Sequence, residues 1–80
     1  MKLTIAEQTE ILGKRIQMAR EAKKLSQRDL QVLTGVDHGR ISMIENNKTG
    51  CLVSNLLELA NKLELDPRDL FNFDDLSDIT

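Results

Sequence analysis

Tryptophan and tyrosine are absent from this 80-residue chain, which holds one cysteine, one proline, one histidine and two phenylalanines. A lone cysteine, Cys51, excludes an internal disulfide and a cysteine-rich metal site; it reads as a small apolar plug. One histidine, one cysteine and scattered carboxylates supply neither a nucleophile–base pair nor a metal-ligand set. No enzyme, metal or cofactor is therefore expected. Apolar runs are only a few residues long, too short to span a membrane. The opening MKLTIAEQTE has no apolar signal core, which makes the cytoplasm the default location. No segment alternates apolar and polar residues long enough to read as a strand.

What the chain does contain is a folding composition. Hydrophobic residues at 40% beside charged residues at 30% belong to a globular protein and not to a disordered one. Its length suits one domain with a thin core. The net charge of −2 argues at first sight against a nucleic-acid partner, but it is unevenly spread. Residues 1–65 sum to about +2 and residues 66–80 to about −4. The body is mildly basic and the acidity sits in the tail, and local patches decide phosphate binding.

Five helical segments emerge. Thr4 and Glu7 form a T-x-x-E capping box, after which Leu12, Ile16 and Ala19 recur at helical spacing. Gly13 lies inside this stretch, where glycine costs about 1 kcal/mol relative to alanine, so a weak point is expected there. Ser26 caps a second helix carrying Leu30 and Leu33, which stops at Gly35. Asp37 caps a third helix running to about Glu45, closed by Asn46-Asn47. A fourth spans about Leu52 to Leu63, with Val53, Leu56, Leu57, Ala60 and Leu63 as its apolar stripe. Asp66-Pro67 starts a fifth, since an N-cap before proline at the first helical position is a strong start signal. The second and third helices are short and joined by a glycine-containing turn, which is helix-turn-helix spacing over about residues 26–47.

On a helical wheel, Val36, Ile41 and Ile44 share the inner side of the third helix. Gly39, Ser42, Met43 and Asn46 fall opposite, with His38 and Arg40 on the flanks. Arg40 can pair with guanine or phosphate, His38 and Ser42 with base edges, and Met43 with a thymine methyl; Gly39 allows close approach. His38 can equally be a solvated surface histidine. Ser26 and Gln27 mark a second contact point, because a helix N-terminus suits a phosphate oxygen.

The runs L-S-Q-R-D-L (25–30), T-G-V-D (34–37) and I-S-M-I-E-N-N-K (41–48), followed by L-L-E-L-A-N-K-L (56–63) and D-P-R-D-L-F (66–71), carry a family resemblance. Together they are similar to the phage-repressor-like (Xre/Cro-type) helix-turn-helix family, over about residues 12–71. The resemblance implies an all-α, compact five-helix lambda-repressor-like domain. It also implies a homodimer that binds a pseudo-palindromic double-stranded DNA operator with its third helix in the major groove. Carried over, the DNA contacts are Gln27, His38, Arg40 and Met43, with Lys48 on phosphate, and Arg20 pairs with Glu45 as a structural link. Gln31 stands where the family usually has alanine, so it must find a hydrogen bond or turn outward. Cys51 replaces a proline, and Asn47 a glycine.

On this reading residues 1–11 extend the first helix, 12–71 form the domain and 72–80 an acidic tail. Leu70, Phe71, Phe73, Leu76 and Ile79 exceed what a small core needs, so part of this set is expected to face a partner subunit. Two alternatives stay open. One is an antitoxin or restriction-controller type regulator, with a partner protein such as a toxin. The other is an interaction module that kept the fold without binding DNA, which the acidic balance and the weakly basic third helix favour slightly.

Overall fold

Thr4 opens the first helix as its spacing to Glu7 predicts. Its hydroxyl accepts from the Glu7 N–H at 3.1 Å, and the Glu7 carboxylate accepts from the Thr4 N–H at 2.8 Å. In the computed structural model, which describes residues 3–46 and 52–74, five helices follow in order. They are α1 (Ile5–Ala22), α2 (Gln27–Thr34), α3 (His38–Glu45), α4 (Val53–Lys62) and α5 (Pro67–Leu70). Asn47, Lys48, Cys51, Leu76 and Ile79, all invoked above, lie outside the described residues. The sequence signals for helix starts hold: Ser26, Asp37 and Asp66 each accept a backbone N–H from the first turn that follows.

One core lies between the helices. Ile16, Leu30, Ile41, Leu56, Leu59 and Leu70 are fully buried, and Val36, Ile44, Ala60 and Leu63 complete it. Each large aliphatic side chain buried there contributes about 1.5–3 kcal/mol of transfer free energy. The α4 stripe differs from expectation. Leu59, absent from the expected set, is fully buried, while Val53 and Leu57 are exposed. The core-facing row is Leu56, Leu59, Ala60 and Leu63, and Val53 and Leu57 form a shoulder beside it, four residues apart on one face. Leu33 of α2 is likewise half-exposed. Leu70 is fully buried, which removes it from the set expected to face a partner: it closes the core under α5.

Gly13 is no weak point. It is buried, and a Cβ added there would drive into the carbonyl oxygen of Ile44. The missing side chain lets α1 pass directly against the α3 backbone, which fixes how far α3 stands out from the body.

Two helix ends are hidden from a sequence reading. α1 ends through Lys24 at φ 59° and α4 through Glu64 at φ 58°, left-handed positions that glycine normally fills. At each, the next leucine donates back across the turn in a Schellman motif, Leu25 to the Arg20 carbonyl at 3.2 Å and Leu65 to the Ala60 carbonyl at 2.8 Å. Beyond α5, the Arg15 guanidinium lies within 2.9 Å of the Asp69, Leu70 and Asn72 carbonyls, and 5.4 Å from the Phe73 ring centre. Arg15 thus satisfies the open carbonyl end of α5 and holds the following chain against α1.

Candidate nucleic-acid interface

The turn between α2 and α3 sets the angle of the third helix. Gly35 ends α2 at φ 79°, and its N–H returns to the Gln31 carbonyl at 2.7 Å. Thr34 braces the same bend, donating its hydroxyl to the Leu30 carbonyl and accepting from the Val36 N–H. Val36 then enters the core, and α3 begins with Ile41 and Ile44 turned inward.

The outer side of α3 is what this leaves. Arg40 and Met43 are exposed, Met43 by 49%. Among the described residues Arg40 has no ion-pair partner. His38, Gly39 and Ser42 are half-buried along the same helix. Asn46 donates its side-chain amide to the Ser42 carbonyl at 2.8 Å, which covers the end of the helix. Arg40 also borders an open groove of about 450 Å³ shared with Asp37, Leu52, Ser54 and Glu58. The acids in that rim keep the surface from being uniformly positive, so shape and hydrogen bonds must supplement charge.

The start of α3 is already satisfied by the protein itself. Asp37 takes the Gly39 N–H at 2.9 Å, and Gln31 Oε1 takes the His38 N–H at 2.7 Å. The same Gln31 oxygen lies 2.7 Å from His38 Nδ1. This is the hydrogen bond Gln31 required, and it spans the two helices of the motif. The N-terminal end of α3 is thus poorly suited to phosphate.

The start of α2 is different. The Ser26 hydroxyl accepts from the Asp29 N–H, and the Asp29 carboxylate accepts from the Ser26 N–H, each at 2.9 Å. Those bonds to the Ser26 backbone and hydroxyl hold the Asp29 carboxyl below its usual range. Among the described residues the Gln27 and Arg28 N–H groups find no acceptor, and the exposed Arg28 side chain has no ion-pair partner. Two free N–H groups, a helix dipole and a loose guanidinium suit a phosphate oxygen. Sequence reasoning misses Arg28 because nothing in its spacing separates it from any surface arginine.

Beneath both helices sits a buried polar link. Arg20 Nε donates to Glu45 Oε2 at 2.8 Å and Nη2 to Oε1 at 3.0 Å, a two-pronged pair with the Glu45 side chain 1% exposed. Arg20 also reaches the Leu25 carbonyl at 2.6 Å, and its own pKa is raised, first by the hydrogen bond to Glu45. Gln27 Nε2 joins the cluster, donating to Glu45 Oε1 at 3.1 Å. The end of α1, the start of α2 and the end of α3 are thereby tied at one carboxylate. Gln27 is half-buried in this link, so it has its N–H and its amide oxygen left for an outside ligand.

Two short helices crossing at a glycine turn, the second with its outer side open, define a helix-turn-helix DNA-binding domain. A family model described as a helix-turn-helix domain matches residues 13–75. The chain belongs to that family and is a DNA-binding transcriptional regulator, in a family that is not enzymatic. Among solved structures it is similar to the restriction-modification controller protein C.AhdI from Aeromonas hydrophila. The likeness has 35% identity, covers 79% of this chain and 96% of that one, and gives a TM-score of 0.72. The five-helix lambda-repressor-like fold is shared. No curated protein sequence matches the chain. No helix among the described residues is long and apolar enough to cross a membrane.

Proposed function

We propose that the chain is a restriction-controller type regulator that binds a pseudo-palindromic operator as a homodimer in the cytoplasm, with α3 in the major groove. The observation that carries this reading is the likeness to the controller protein, at 35% identity over 96% of its length. Arg40, Met43, His38 and Ser42 then face base edges, and Gly39 lets the helix approach closely. Gln27, through its free N–H, and Arg28 meet the phosphates that α2 crosses, with Lys48 as a further phosphate contact. Residues 12–71 form the DNA-binding unit, and the acidity is concentrated in residues 66–80.

Dimerisation is supported by apolar surface left open among the described residues. Val53 and Leu57 stand exposed on α4, and Phe71 at the end of α5 is exposed by 37%. A two-fold contact through such a patch would be isologous, the same surface meeting itself on both protomers. Enrichment of bound duplexes from a random pool tests the proposal. It should yield two inverted half-sites about one helical turn, or ~10 base pairs, apart, with two protomers per duplex by sedimentation. A strict monomer at micromolar concentration with and without DNA, or a pool that never converges, contradicts it.

A further inference from the structure

We infer that Gln31 fixes which nitrogen of His38 carries the proton, and so makes His38 a reader of amino bases, adenine or cytosine, in the operator. The base-reading half rests on the placement of α3 in the major groove; the proton assignment does not. A backbone N–H can only donate. The Gln31 atom 2.7 Å from the His38 N–H must therefore be the amide oxygen, since the amide nitrogen would set donor against donor. That oxygen also lies 2.7 Å from His38 Nδ1. A carbonyl oxygen has two lone pairs and no proton, so it accepts from both, and Nδ1 must bear hydrogen. Asp37 Oδ1, 3.8 Å from Nδ1, is a second oxygen beside the same nitrogen.

A neutral imidazole has a single N–H. With it committed to Nδ1, Nε2 is a bare acceptor, on a side chain that keeps 38% of its surface exposed. In the major groove adenine N6 and cytosine N4 offer donors, whereas guanine and thymine offer O6, N7 or O4 acceptors. Nε2 bonds the first pair and sets lone pair against lone pair with the second. The opposite tautomer, a donor at Nε2, would seek acceptors instead: guanine O6 or N7, thymine O4 or adenine N7. Gln31 touches no base; it is a positioning residue that acts through His38 and sets the sign of its hydrogen bond.

The test joins ring-nitrogen NMR of the free chain to duplex selection in alkaline buffer with four proteins. In the wild type the neutral ring should be protonated at Nδ1. One position in each half-site should favour adenine or cytosine over guanine or thymine by about five- to tenfold, the size of one good hydrogen bond. Gln31→Met and His38→Ala should lose preference at that position and keep it elsewhere. Gln31→Glu, still an acceptor, should retain it. A neutral ring protonated at Nε2 in the wild type overturns the inference. So does a His38→Ala protein with unchanged preference, or a folded Gln31→Met protein that still selects amino bases there. If Gln31→Met fails to fold, the wild-type tautomer and the Gln31→Glu and His38→Ala selections decide. A wild type that enriches no duplex removes the groove reading, and the base preference with it, while the NMR result still decides the proton assignment.

Discussion

Residues 13–30 and 53–70 fold into the same unit, and they differ in how the second helix of each begins. Each runs as a helix, a left-handed residue (Lys24 or Glu64), a leucine, an N-cap (Ser26 or Asp66) and a short helix continuing R-D-L. Forty positions separate each matching pair. Ile16 and Leu56, Leu30 and Leu70 are buried alike, so the repeat serves the core equally in both places. The polar positions diverge. Arg20 corresponds to Ala60, Gln27 to Pro67, and the neutral cap Ser26 to the acidic Asp66. Asp66 takes its own Arg68 at 2.9 Å, and this bond first, with the Arg68 N–H second, holds its carboxyl below the usual range. Arg28 makes no such pair among the described residues. Proline at 67 removes the N–H that Gln27 keeps free. One backbone pattern thus yields a sealed helix start and an open one, and a few side chains make the difference.

The largest effect should come from the link that only the first unit has. Arg20→Met leaves the buried Glu45 carboxylate unpaired and should destabilise by about 3–5 kcal/mol. Arg20→Met with Glu45→Met should recover most of that, since a buried pair replaced by apolar groups is close to neutral. Denaturant unfolding of the single and double variants checks both, and an Arg20→Met loss below about 1 kcal/mol, smaller than any broken buried pair should give, would dismiss the link as structural.

Next is the position where the units part in packing. Gly13 lies against the Ile44 carbonyl, whereas its counterpart Val53 is exposed. Gly13→Ala should cost about 2–3 kcal/mol despite the better helix propensity of alanine. Val53→Ala should change folding stability by no more than about 0.5 kcal/mol. Thermal melts at dilute protein separate them, and equal shifts would mean the α1–α3 approach is looser than described.

Grafting the second start onto the first should sharpen the comparison further. Ser26→Asp with Gln27→Pro keeps a competent cap and a favourable first helical residue. It loses the Gln27–Glu45 bond, for about 1 kcal/mol. DNA affinity should fall about tenfold for every sequence alike, because phosphate contacts carry no base preference. An unaltered affinity would remove α2 from the phosphate contact.

The smallest effect concerns what the units share. Lys24→Gly relieves a left-handed strain of about 1–2 kcal/mol but adds unfolded-chain entropy, for a net gain of about 0.5 kcal/mol. Glu64→Gly should gain less, since it also loses an exposed ion pair to Lys23 at 3.5 Å. Urea midpoints order the two; destabilisation by Lys24→Gly would contradict the backbone assignment.

Helix starts are legible in the sequence because each rests on a local rule: Thr4 with Glu7, Ser26, Asp37, and Asp66 before Pro67. The turn at Gly35 is legible for the same reason. The ends at Lys24 and Glu64 are not, because tertiary packing imposes a left-handed backbone that neither residue prefers. A helical glycine such as Gly13 looks like a defect until the α3 backbone is seen beside it. Periodicity turns Val53 and Leu57 inward because it gives the width of an apolar stripe and not which part meets a neighbour. Gln31 stands out as needing a partner, but which partner depends on the crossing of α2 and α3. His38, Arg40 and Met43 can be placed on an outer face from the wheel, and the Arg20–Glu45 pair, 25 apart in sequence, follows from the family resemblance, whereas the Gln27 bond to the same carboxylate depends on how α2 packs.

The outer face of α3 is the central claim, and base preference in duplex selection tests it most directly. Wild type, Arg40→Ala, Met43→Ala and Lys48→Ala should first be shown to melt alike. Arg40→Ala and Met43→Ala should then relax preference at particular operator positions, at roughly 1–3 kcal/mol for each good base interaction removed. Lys48→Ala should weaken binding to all sequences and flatten the salt dependence by about one per site removed. Folded Arg40→Ala and Met43→Ala proteins with unchanged affinity and unchanged sequence preference would contradict the account.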